Sequence, residues 1–162
     1  MCPPAPAILG VAEVVLNARD LPAMRDFYTR TLGFTVAAEE CHETSAGHDP
    51  QGQPTICFLK IADSQTPLGA DRHPPFLVLI DYRRHASARA RGISDPIPSA
   101  SGLNHLAFEI SPDSYAAHRD HLEQLGLQPT ETQFPNLNAR ALFFEDPEGN
   151  TLELIARCEA DH

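Results

Sequence analysis

The chain has 162 residues, 42% of them apolar, which is enough for one domain or two small modules around a real core. Its formal net charge of −10 disfavours nucleic acid and anionic membrane, because both select a basic face. No apolar run approaches the roughly 18 residues of a membrane span, and the four cysteines form no Cys-x-x-Cys pair, so reduced thiols and a cytoplasmic location are expected.

Residues 1–9 lack the basic and long apolar segments of a secretory signal and read as a loose, proline-rich tail. Residues 10–17 alternate as a strand that places Glu13 on one face with Val11, Val15 and Asn17. Asp20 is a suitable helix N-cap and Pro22 fits the first turn. Leu21, Met24, Phe27, Tyr28, Thr31 and Leu32 then recur at helical spacing until Gly33 stops the helix. Strands are expected over 34–40, 55–61 and 76–80, separated by polar loops at 41–54 and 62–75. Residues 83–101 have no apolar periodicity and read as a linker, with Arg83, Arg84, Arg89 and Arg91 as solvated surface.

Beyond the linker, residues 103–110 form a strand pattern in which His105, Ala107 and Glu109 share one face. Ser111 and Pro112 open a helix whose apolar stripe is Tyr115, His118, Leu122 and Leu125, and Gly126 closes it. A loop containing proline and asparagine leads to a strand–turn–strand unit at 141–155. Its turn is Asp146-Pro147-Glu148-Gly149, where Pro147 pre-sets φ and Gly149 accepts φ > 0. Glu153 then stands on the face of Thr151 and Ile155, between apolar neighbours. That carboxylate is either a solvated group on an open face, or a ligand or acid that needs a partner.

The order strand, helix, three strands thus occurs twice, and both helices end in Leu-Gly followed by a hydrophobe: Leu32-Gly33-Phe34 and Leu125-Gly126-Leu127. The fold expected is α+β, two βαβββ modules in one cupped, mostly antiparallel sheet domain. Its parts are a tail at 1–9, a first module at 10–82, the linker at 83–101 and a second module at 102–158. Glu13 and His105 occupy equivalent positions, and the counterpart of Glu153 in the first module is about Val78. The segment from Gly33 to Val78 is longer than its counterpart from Gly126 to Glu153, and the loop at 42–54 or that at 63–75 is expected to overhang the mouth of the cup.

These residues resemble the vicinal oxygen chelate superfamily, which includes glyoxalase I, extradiol dioxygenases, methylmalonyl-CoA epimerase, fosfomycin-resistance enzymes and bleomycin-resistance proteins. The resemblance spans residues 10–157. It is carried by Phe27-Tyr28 with Leu32-Gly33-Phe34, by Asn104-His105-Leu106-Ala107-Phe108, and by Asp146-Pro147-Glu148-Gly149-Asn150 with Glu153-Leu154. It implies a homodimer and a divalent metal ion held by Glu13, His105 and Glu153. Two departures stand out: Glu13 takes a position commonly held by His, and Val78 a position where glyoxalase I has an acidic ligand. One imidazole and two carboxylates suit iron(II), manganese(II) or magnesium, with cobalt, nickel and zinc compatible. The chemistry implied is Lewis-acid catalysis, dioxygenase-like or isomerase/lyase-like, on a small-molecule substrate with vicinal oxygens. Glu153 or Glu13 would act as base, while Arg140, Glu109 and Phe144 would contact the substrate. The alternative is a metal-free small-molecule binding protein of the bleomycin-resistance type, in which Glu13, His105, Glu153 and Arg140 form structural ion pairs.

Overall fold

The computed structural model describes residues 9–41, 52–65, 73–85 and 103–158. Two compact units make up the chain, Met1–Asp95 and Pro96–His162. The first contains β1 (Glu13–Ala18), α1 (Leu21–Leu32), β2 (Thr35–Glu40), β3 (Ile56–Lys60) and β4 (Phe76–Asp81). The second contains β5 (Leu106–Glu109), a 3-10 turn at Pro112–Ser114, α2 (Tyr115–Gln124), β6 (Thr130–Phe134), β7 (Ala139–Glu145) and β8 (Thr151–Arg157). Each unit is therefore βαβββ and the class is α+β. The strand orders are β1-β4-β3-β2 and β5-β8-β7-β6. In each, the first and last strands pair in parallel and the other neighbours are antiparallel.

Local chemistry explains why the helices start and stop where they do. The Asp20 carboxylate accepts from the Ala23 amide at 3.0 Å, capping α1, and Pro22 sits where its missing N–H costs nothing. Gly33 takes φ 69°, and its N–H and that of Phe34 both turn back to the Tyr28 carbonyl. At the end of α2 the Gly126 N–H donates to Glu123 O and the Leu127 N–H to Leu122 O, the two bonds of a Schellman motif. Ser111 does not cap α2 through its side chain; the chain first makes the 3-10 turn, with Ser114 Oγ donating to Ser111 O at 2.8 Å.

Each sheet has one face against its helix. In the first unit Leu16, Ala18, Cys57, Leu59, Leu77 and Leu79 alternate onto that face, and all are buried together with Leu21, Met24 and Tyr28 of α1. In the second unit Leu142, Phe144, Leu152, Leu154 and Ala156 are buried with Tyr115 and Leu122 of α2. Burying one Leu or Phe side chain contributes about 1.5–3 kcal/mol, so these faces fix the register of both sheets.

Three expectations need correction. The polar segment before β7 contains strand β6, whose residues are mostly exposed; an edge strand has no need of an apolar run, so its pattern reads as loop. Strand β5 begins at Leu106, so His105 lies just before the strand. Arg83 is exposed, as expected of solvated surface, while Arg84 is half-buried, and both are tied to the fold. Asp81, 2% exposed, accepts Arg84 Nε at 2.7 Å and the Arg83 amide at 3.0 Å, Arg84 Nη2 reaches Pro54 O at 3.0 Å, and Arg83 bonds Arg19 O. The rest of the linker expectation, and most of the two long loops, fall at 86–101, 42–51 and 66–72, outside the described residues. Among the described residues no helix is long and apolar enough to cross a membrane.

Cys41, Cys57 and Cys158 are free thiols in different settings. Burial, and after it the Glu39 carboxylate, push the Cys57 thiol up to about 12. An unfolded thiol ionises near about 8.5, so this neutral thiol favours the fold below that pH, and the contribution is lost as pH rises toward the folded value. Native protein treated with a thiol reagent near pH 8 should react quickly at exposed Cys41 and slowly at Cys57, with Cys57 catching up only in denaturant. Equal native rates by peptide mass spectrometry would contradict this packing.

Candidate functional site

The residues of interest lie on the sheet faces turned away from the helices. The β7–β8 hairpin sets the first of them. Asp146, 5% exposed, accepts the Glu148 and Asn150 amides, both at 2.9 Å, and the Asn150 side-chain amide at 2.8 Å. Gly149 takes φ 81° and donates to Asp146 O at 3.0 Å. The Asp-Pro-Glu-Gly turn is thereby locked, and the hairpin register that follows puts Glu153 opposite Phe143 on β7 and Ala107 on β5.

Glu153 is 4% exposed. Its Oε2 lies 3.0 Å from His105 Nε2. The opposite ring nitrogen, His105 Nδ1, lies 2.7 Å from Asn104 Oδ1. The Asn104 amide thus anchors the ring on the side away from Glu153. Two arrangements satisfy the contact at Nε2: an Nε2–H donated to the Glu153 carboxylate, or both atoms bound to one cation. Two donors about 2.1 Å from one metal ion, at right angles, are themselves about 3 Å apart. The pair therefore fits a divalent metal in donor type, in spacing and in the hydrogen bond that orients the imidazole. The Phe143 ring meets His105 edge to face at 5.7 Å, and Phe134 packs against Phe143 at 6.5 Å, so the imidazole has an aromatic wall beside it.

The first unit is built differently at the same places. Val15 pairs with Val78 as Ala107 pairs with Glu153, and Phe58 opposes Val78 as Phe143 opposes Glu153. Two residues earlier on the opening strands stand Glu13 and His105. Register thus equates Glu13 with His105 and Val78 with Glu153. Val78, 2% exposed, belongs to an apolar cluster with Ile56 and Phe76, flanked by Phe58 and Ile80, and has no donor atom. The Glu13 side chain is 42% exposed, so the cost of a buried lone charge applies to Glu153 and not to Glu13. Glu13 Oε2 lies 3.8 Å from Nε2 of His73, a residue the sequence gives no reason to single out, since it sits in a polar stretch before two prolines. Among the described residues no three His, Cys, Asp or Glu side chains form a metal-ligating group.

The expectations for Arg140 and Phe144 are corrected. Both alternate onto the helix face, with Leu142 between them. Phe144 is buried there, and the Arg140 guanidinium lies 4.1 Å from the centroid of the Tyr115 ring and reaches Pro112 O at 3.4 Å. One residue of strand separates the two faces, so neither side chain shares a face with Glu153. Glu109 does share it, and is exposed. Tyr115 also holds the hairpin from the helix side, donating toward Ala141 O and Glu131 Oε2, each at 3.2 Å. Burial, and after it the Glu131 carboxylate, push its phenol up to about 12.

Residues 10–154 match the Glyoxalase/Bleomycin resistance protein/Dioxygenase superfamily. Among solved structures, a glyoxylase/bleomycin resistance protein/dioxygenase domain from Frankia sp. EAN1pec shares 20% identity, over 93% of this chain and 99% of that one, with a TM-score of 0.61. The fosfomycin resistance protein FosX from Listeria monocytogenes, complexed with Mn(II) and sulfate, shares 17% over 93% of each chain, with a TM-score of 0.59. Lactoylglutathione lyase from Agrobacterium tumefaciens shares 21% over 92% of this chain and 94% of that one, with a TM-score of 0.57. At these identities the likeness shows the fold. No curated protein sequence gives a significant match.

Replacing Asp146 with Ala removes the acceptor for three donors and leaves two backbone amides to find others. The loss should be about 1–3 kcal/mol of unfolding free energy, measured by urea denaturation. An unchanged midpoint would mean that the turn does not depend on this carboxylate.

Proposed function

The chain belongs to the Glyoxalase/Bleomycin resistance protein/Dioxygenase superfamily, and on that premise we propose that it is a metal-dependent enzyme acting on a small molecule with two adjacent oxygens. The observation that carries the proposal is the 3.0 Å approach of His105 Nε2 and Glu153 Oε2 with Nδ1 already committed to Asn104. Such a pair supplies one nitrogen and one oxygen donor and leaves further positions for substrate oxygens. Glu13, the register equivalent of His105, is proposed as a metal-ligating carboxylate of the first unit, and the protein as a homodimer.

A bound divalent ion would supply Lewis acidity toward the substrate oxygens. The protein's own residues do the rest. Asn104 and the Phe143 edge hold the imidazole with Nε2 toward Glu153. Glu153, buried against β5 and β7, is a carboxylate poised to exchange a proton with a substrate carbon or hydroxyl when its second oxygen is uncommitted. Glu109, exposed on the same face and without an ion pair among the described residues, is the second carboxylate that can carry that proton to solvent. Phe143 and Phe134 give an apolar surface to the body of the substrate.

Protein purified without a metal-affinity tag, stripped and dialysed against Mn(II), Co(II), Ni(II) or Zn(II), should retain one of them stoichiometrically. His105→Ala should lower the affinity at least about 100-fold, and Asn104→Ala about 10- to 100-fold, as expected for loss of a hydrogen bond behind a ligand. Both variants should unfold near the wild-type temperature when metal-free. If the wild type retains no divalent ion, the pair is a direct hydrogen-bonded His–Glu contact and the protein is better read as a metal-free small-molecule binder.

A further inference from the structure

We infer that His73 is a second imidazole donor of this protein, acting with Glu13 as the first unit's counterpart of the His105–Glu153 pair. The inference rests on the metal-dependent reading above. By register the first unit has a carboxylate, Glu13, where the second has its imidazole, and an apolar residue, Val78, where the second has its carboxylate. An imidazole reaches Glu13 from another direction, at the start of β4.

His73 is held in place without being used. Its ring meets the edge of Phe76 at 5.0 Å. The next residues are Pro74 and Pro75, and a residue before proline is confined to extended backbone. That segment is tied on both sides, since Pro75 O accepts the Ile61 amide and the Phe76 amide donates to Ala12 O, each at 3.0 Å. Ring position is therefore set by packing and by backbone. Yet neither ring nitrogen has a hydrogen bond to a described residue. Nδ1 is buried without a partner, and Nε2 stops 3.8 Å from Glu13 Oε2, too far for a hydrogen bond. Donors about 2.1 Å from a shared cation, at angles between 90° and 120°, are about 3.0–3.6 Å apart. The pair lies a few tenths of an ångström beyond that range, and a small rotation of the half-exposed Glu13 carboxylate closes the gap. Among the described residues there is thus one such imidazole–carboxylate pair in each unit, with the roles of opening strand and partner exchanged: His105 to Glu153, and Glu13 to His73. The chemical class recognised is a divalent cation of the imidazole-binding first-row series.

The test is carbethoxylation of histidines in the wild-type protein, read by peptide mass spectrometry, with and without saturating Mn(II), occupancy being measured separately. Modification of His73 and of His105 should both slow at least tenfold when the metal is bound. His73→Ala should also weaken Mn(II) binding at least tenfold, with the metal-free variant unfolding as the wild type does. Protection of His105 with none at His73, and wild-type affinity in His73→Ala, would overturn this inference and leave the metal reading standing. Protection at neither histidine, at full Mn(II) occupancy, would overturn both.

Discussion

The candidate site depends on one contact, that between the buried Glu153 carboxylate and the His105 imidazole, whose other nitrogen is held by Asn104. Glu153 is 4% exposed, and an uncompensated carboxylate at such a place would cost several kcal/mol. Among the described residues, the side chain in contact with its Oε2 is His105, whose Nε2 lies at 3.0 Å. The sheet supplies the geometry: the Asp146 turn fixes the β7–β8 register, the register fixes the face of Glu153, and the parallel pairing with β5 brings the preceding His105 to it. Asn104, adjacent in sequence, then decides which nitrogen is presented.

The two units share a backbone plan and diverge on one face. On the helix side both are mainly apolar, because a sheet of four strands with one helix must bury that side to be stable at all. On the far sides the first unit has Phe58, Phe76 and Val78 where the second has Phe143, Thr151 and Glu153.

The architecture was legible in the sequence because its signals are local. Asp20, Pro22 and Gly33 mark the helix ends by backbone chemistry, and Asp146 and Gly149 do the same for the hairpin. The equivalences of Glu13 with His105 and of Val78 with Glu153 follow from spacing within a repeat, and the strand registers agree with them. Three kinds of feature were not legible. Strand β6 is a polar edge and leaves no apolar pattern. The side on which Arg140 and Phe144 stand depends on strand parity at the hairpin, which proximity in sequence to Glu153 obscures. His73 is brought to Glu13 by the β1–β4 pairing, a non-local event with no trace in the polar stretch around it except the two prolines that hold it.

The central claim is that the charge resolving the His105–Glu153 contact is a metal ion. The most direct test is anomalous diffraction at the manganese edge from crystals of the metal-free protein soaked in Mn(II). A peak about 2.0–2.3 Å from both His105 Nε2 and Glu153 Oε2 is the predicted result. A structure with no anomalous peak there, and with Nε2 and Oε2 still in direct contact, would contradict the account.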